Sequence, residues 1–289
     1  MELPAAADSP RAWLEAYIQH RGRLAALDAQ FGCDPACIRP GCTHPELVIP
    51  VSLLDLWGAA HFLGERAADL YHRAFTLGLV AEAGQDWLRT PVLRLKKPCP
   101  FFGGELCAIY PARPLACILF PEYLVVAGTL AAHAAREHFR DYRCLHRPLT
   151  LTPARREAMA ALMRLWRREL LITSFRLFGR APCYVECRDF LPIPAGKQGS
   201  EPGFIAPPWL EQCFREQIAI HPPFADLAGT IAELHHSPGQ AALLQAFLDD
   251  RLYRTLTRQG TERVAVFRLK KGKLRLTRRS LRPPEVAAF

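Results

Sequence analysis

Seven of the ten cysteines fall between Cys33 and Cys144, most of them in stretches where prolines and glycines oppose regular structure. The first group, Cys33, Cys37 and Cys42, shares its segment with Pro35, Pro40, Gly41 and Pro45. The second, Cys99, Cys107 and Cys117, is interleaved with Pro100, Gly103, Gly104, Pro111 and Pro114. Such irregular loops let thiols converge in a way no regular helix would allow. Thiolates suit zinc or iron–sulfur chemistry, because soft sulfur donors stabilise those ions and clusters. Each group alone holds too few ligands for a closed four-coordinate site. The two loops are therefore expected to cooperate around metal, with Cys144 closing the set from a distance.

Composition supports a reducing setting for these thiols. No apolar run approaches the ~20 residues of a membrane-spanning helix; the longest, Leu124 to Ala132, is soon followed by His133 and Arg136. The opening residues lack the positive start and apolar centre of a secretory signal. A cytoplasmic location without a membrane partner is the expectation, and there cysteines stay reduced. The 37 basic and 28 acidic residues give a net charge of +9. Ligating thiolates would offset part of it. The charge permits nucleic acid as a partner without requiring it, and no protein partner can be named.

An α+β fold is expected, predominantly helical with short strands. Ser9-Pro10 starts a helix carrying Trp13, Leu14, Tyr17 and Ile18 at helical spacing, ending near Phe31-Gly32. Leu47-Val-Ile reads as a short strand, and Ser52-Leu-Leu-Asp55 as a capping box opening a helix to about Phe62. A second helix is expected over 67–79, then strands at 92–95 and 123–126. Thr152-Pro153 opens the clearest long helix, running to Phe178-Gly179. The stretch from Pro192 to Pro208 reads as a linker or long loop, and Ser237-Pro238 caps a further helix to Gln259. The alternation of Val264–Leu269 and Lys273–Arg278 across Lys271-Gly272 predicts a basic hairpin. Residues 1–150 form the expected metal-binding domain, and 151–289 a helical region ending in that hairpin.

Pro98-Cys99-Pro100-Phe101-Phe102, Cys107-Ala-Ile-Tyr110, Arg113-Pro114-Leu-Ala-Cys117 and Phe120-Pro121 carry a resemblance. The chain over about residues 30 to 146 resembles the bacterial zinc- or iron-chelating cysteine-cluster proteins, the YkgJ-like or CxxCxxCC family. Ile49-Pro-Val-Ser-Leu-Leu-Asp55 is similar to that family's helix entry after its first cysteine loop. There are two departures: Cys42 is followed by Thr43 rather than a second cysteine, and Ile118 stands where an arginine is usual. His44 could serve as a nitrogen ligand in the first loop. More distantly, the motif is similar to that of flagellin lysine methylases, which carry an iron–sulfur centre.

Four thiolates hold a 4Fe–4S cluster, leaving three sulfurs for a second ion or an open half-site. Two zinc sites sharing seven sulfurs and His44 would satisfy the same count. The cluster is preferred, partly through the methylase likeness. Arg113 either donates to cluster sulfurs, and so binds the cofactor, or braces its loop. Tyr110 reads as a core residue with its hydroxyl satisfied locally, and His133, His138 and His146 as surface or packing residues. Cys183 and Cys187, helix-spaced, and Cys213 read as buried small hydrophobes. Two functions follow: a structural, sensing or metal-handling module, or a metal-dependent group-transfer enzyme resembling a methyltransferase and acting on a protein or small molecule.

Overall fold

The computed structural model describes residues 9–29, 37–45, 47–82, 85–178, 183–186, 204–205, 212, 264–271 and 273–279. Helix α1 (Pro10–Ala26) starts where Ser9 Oγ accepts from Ala12 N at 3.2 Å and Pro10 supplies the first helical position. A single turn, α2 (Pro40–Thr43), and a short strand, β1 (Pro50–Val51), lead into α3 (Leu53–Leu63). The box opening α3 forms as its spacing requires: Ser52 Oγ accepts from Asp55 N at 3.0 Å, and an Asp55 oxygen accepts from Ser52 N at 2.9 Å. Gly64, with φ 68°, closes the helix in the left-handed conformation that glycine adopts without strain.

Helix α4 (Ala67–Ala74) is shorter than its apolar spacing suggests. At Phe75 the chain becomes β2 (Phe75–Glu82), the antiparallel partner of β3 (Gln85–Leu95). Phe75, Leu77 and Leu79 alternate into the core opposite Leu95, Leu93 and Pro91. This period-2 burial overrides the local helical pattern. Residues 47–49 are not a strand either, although Ile49 O accepts from Leu95 N at 3.2 Å and so extends the edge that β1 occupies.

Gly78 has a steric reason. A Cβ there would lie 2.8 Å from Arg94 Cδ and 3.4 Å from its Cγ, so the buried arginine occupies space that only glycine leaves. Gly78→Val is expected to cost about 1–3 kcal/mol through overpacking. Urea unfolding of the variant measures this, and an unchanged midpoint would contradict the close approach.

After the cysteine loop come α5 (Leu115–Leu119), α6 (Glu122–Val126) and α7 (Leu130–Ala134). The stretch expected as a strand at 123–126 is thus helical; four apolar residues suit either state. The long helix α8 (Pro153–Phe178) buries Met159, Leu162 and Leu165 against Tyr17, Leu115, Ile118 and Leu119. Its first turn is clamped by Arg155. Nε donates to Glu122 Oε1 at 2.8 Å, Nη1 donates to the carbonyls of Ala25 and Leu27, and Nη2 pairs with the second Glu122 oxygen.

Beyond α8, β4 (Cys183–Glu186) and β5 (Phe204–Ile205) join the sheet, followed by the hairpin β6 (Val264–Lys270) and β7 (Lys273–Arg279). The order is β5-β2-β3-β4-β6-β7, with β1 also on β3, and β4–β6 is parallel. Cys183 therefore begins a strand, not a helix. Phe204-Ile205, inside the expected linker, pairs with Leu79-Gly78. The basic hairpin forms in the expected register across Lys271. The helix expected from Ser237 to Gln259 lies outside the described residues. The chain is α+β, and no helix among the described residues is long and apolar enough to cross a membrane.

Candidate metal centre

The two cysteine segments meet through main chain. Cys99 N donates to Cys42 O at 2.8 Å, and the Lys97 ammonium donates to Gly41 O. The α2 turn is therefore stitched to residues 97–99. The first segment is less irregular than its prolines suggest, since Pro40 at the first helical position allows the single turn that carries Cys42.

The second segment folds as a tight loop. Ala108 N donates to Phe101 O at 2.8 Å and Gly103 N to Leu106 O at 3.3 Å, bringing Phe102 opposite Cys107. Gly104, at φ 100°, makes the turn. A 3-10 turn over Tyr110–Ala112 then delivers the chain into α5, which carries Cys117. Asp55 fixes the start of α5 by accepting from Leu115 N at 3.1 Å. Cys99, Cys107 and Cys117 pack on the margin of the main core, beside residues that include Phe101 and Ile109.

Electrostatics group four of the thiols. Burial, then Cys99, raises Cys42 to about 11, with Lys97 opposing. Burial raises Cys117 too; Lys97 pulls it down, while Cys99, Cys42 and Asp55 push it up. Cys107 is raised by burial, against a backbone hydrogen bond from Ile109, with Cys99 adding to the rise and Arg113 opposing it. Lys97 is lowered by burial and held up by Cys117, Cys99 and Cys42. Cys42, Cys99, Cys107, Cys117 and Lys97 thus share one neighbourhood, in which burial favours the neutral thiol at Cys42, Cys107 and Cys117.

Burial, followed by Cys144, Cys42 and Cys37, raises the Tyr142 hydroxyl above its ordinary value. Cys37, Cys42, Cys99, Cys107, Cys117 and Cys144 are all outside disulfides and half-buried. Cys33 lies outside the described residues, as do Cys187 and Cys213 and the side chain of Cys183. Among the described residues, no three or more His, Cys, Asp or Glu side chains are arranged as a ready metal-holding group. The thiols are neighbours rather than a closed ligand shell.

Other expectations resolve differently. Tyr110 is 58% exposed, not a core residue, and the Arg113 guanidinium lies 4.1 Å from its ring centroid. Arg113 also acts electrostatically on Cys107. His44 is half-buried at the end of α2, its N–H donating to Pro40 O at 2.9 Å. The His133 ring bonds Thr129 O through Nδ1 at 3.0 Å and packs on Phe139, as an ordinary packing histidine does. His146 is exposed, and the His138 side chain is outside the described set.

Three residues near the thiols were not singled out for the site by their spacing. Lys97 and Tyr142 each precede a motif cysteine by two positions, and that adjacency is the only local signal they give. Asp55 was legible only as a cap. No protein-family model matches the chain, and no curated protein or solved structure matches it either.

Proposed function

We propose that this protein binds a metal centre through thiolates from its two cysteine segments and serves a structural, sensing or metal-handling role. Cys42, Cys99, Cys107 and Cys117 are the principal ligands, and Cys33, Cys37 and Cys144 extend the set. One observation carries this reading. Four thiols from segments distant in sequence share a single electrostatic neighbourhood, joined by the Cys99 N to Cys42 O hydrogen bond. The donor set suits soft or borderline metals. A 4Fe–4S cluster is preferred, with zinc as the alternative, and four thiolates satisfy either. The resemblance to YkgJ-like cysteine-cluster proteins supports the same assignment, and reduced thiols fit a cytoplasmic setting.

Metal ligation replaces protons on sulfur. Because burial favours the neutral thiols, an ion must displace protons as it draws the sulfurs inward. Lys97 offsets part of the negative charge that results, and its bond to Gly41 O keeps the first segment in place. Such coupling makes folding of the two loops depend on the ion.

Anaerobic purification of the full chain, followed by an absorption spectrum and elemental analysis, tests the reading. Iron with acid-labile sulfide and a broad visible band identifies the cluster. A colourless protein with stoichiometric zinc identifies the alternative. A chain that retains neither metal, and takes up neither on anaerobic reconstitution, would refute the proposal.

A further inference from the structure

The tip of the terminal hairpin sets like charges against one another. Arg268 of β6 lies directly across from Arg275 of β7, and Lys270 directly across from Lys273. Like charges opposed in this way destabilise a sheet. All four share one face, since same-face positions alternate along a strand. They form an array about 5 Å across the strands and about 7 Å along them. Lys270, Lys273 and Arg275 are exposed, and Arg268 is half-buried. Lys271 at the turn is exposed too, and it stands at φ 53°, in the left-handed region that tight hairpins give to asparagine or glycine.

The fold offsets little of this charge. Among the described residues, Glu186 is the one carboxylate that pairs with the face, through Arg268. The described ladder of β4 on β6 ends at that same pair, so the other cations lie beyond it. Protection of a sheet edge does not account for them. Lysines that guard an edge sit on the edge strand, here β7, whereas Arg268 and Lys270 sit on β6, between β4 and β7. Local rules broken without a gain to the fold are expected at functional sites.

We propose that this face of the hairpin docks on double-stranded DNA, with Lys270, Lys271, Lys273 and Arg275 contacting phosphate oxygens. Shape and charge point to that partner. A two-stranded ribbon fits the major groove of B-form DNA, about 12 Å wide, whereas the major groove of duplex RNA is too narrow to admit side chains. A membrane surface would need apolar side chains to bury beside the cations, and positions 268, 270, 273 and 275 of this face are all cations. Phosphates relieve both opposed pairs at once. This role does not depend on the thiols.

The test is fluorescence anisotropy of a labelled mixed-sequence DNA duplex, titrated with the full-length protein over a range of salt. Four phosphate contacts give a slope of log affinity on log salt of about −3.6, a loss of about 100-fold between 50 and 200 mM. Lys273→Gln alone should reduce that slope by about 0.9. The quadruple variant Lys270→Gln, Lys271→Asn, Lys273→Gln, Arg275→Gln should remove it and bind at least about 10-fold more weakly at the lower salt. It should also melt at or above the wild-type temperature, because the opposed charges are gone. Arg11→Gln, Arg23→Gln, Arg156→Gln and Arg164→Gln together make the same change in net charge at exposed positions of α1 and α8, and should leave binding unchanged. No binding by the wild type, an unchanged slope in the hairpin variants, or an equal loss in the α1 and α8 variant overturns the proposal. A quadruple hairpin variant that melts lower overturns it also, since the cations would then be structural. Tighter binding to single-stranded DNA, to duplex RNA or to vesicles of equimolar phosphatidylcholine and phosphatidylserine, lost in the quadruple hairpin variant, overturns duplex DNA as the partner.

Discussion

Cys117→Ala is expected to strip the protein of stoichiometric metal and abolish the stabilisation that metal confers. Cys117 lies on α5 within the field of Cys42, Cys99 and Lys97. Removing it leaves three of the four proposed ligands, and structural metal sites are closed by four protein ligands. Apparent binding free energies of structural zinc sites are about 10–16 kcal/mol, so losing one ligand lowers affinity by orders of magnitude. Metal content by elemental analysis should fall to near zero in Cys117→Ala and in Cys99→Ala. Added metal should raise the melting temperature of the wild type and leave both variants unchanged. Full metal content with wild-type melting in both would remove the ligand assignment.

The second large effect is expected at Asp55, which is buried and joins three elements. It pairs with Arg21 of α1 at 2.5 Å, accepts from Ser52 N at the start of α3, and accepts from Leu115 N at the start of α5. The network continues through Glu169 of α8, which accepts from Tyr17 Oη and Ser52 Oγ at 2.5 Å each and lies 3.6 Å from Arg21. Asp55→Ala leaves a buried guanidinium without its nearer partner. Breaking a buried pair in this way costs about 3–5 kcal/mol, a fall in melting temperature on the order of 10 °C. The Arg21→Met, Asp55→Asn double variant should lose less than the two single variants together, because their effects share one interaction. Metal affinity should also drop, since Asp55 seats the helix that carries Cys117. Independent, fully additive losses would show that the pair does not act as a unit.

The same network sets a pH dependence. Burial raises Glu169 to about 7 against the pull of Arg21, from an ordinary value of 4.5. Between those values the unfolded chain binds fewer protons than the folded one. The contribution of Glu169 is therefore complete below about 4.5 and is lost as pH rises to about 7. Glu169→Gln should flatten that part of the stability profile.

The chain's local signals were sufficient wherever structure depends on neighbours three or four residues apart. The capping box at Ser52 and Asp55, the start of α1 at Ser9-Pro10, the span of α8 and the register of the terminal hairpin were all legible. Each is decided by short-range hydrogen bonds and by periodicity. The α+β class was legible as well. So was the concentration of thiols in two segments, because proline and glycine dictate where a chain must turn.

Tertiary structure decided the rest. Phe75–Glu82 became a strand because β3 offers it a full antiparallel ladder, a partner that local spacing does not reveal. The stretch around Leu124 became helical with Leu124 packed among Phe139, Tyr142 and Leu145, for the same kind of reason. Nothing in the order of residues says that Cys42 O would receive Cys99 N, or that the Lys97 ammonium would donate to Gly41 O beside it. Those facts arise when non-local burial orients side chains, and burial depends on which surfaces meet rather than on which residues are adjacent in the chain.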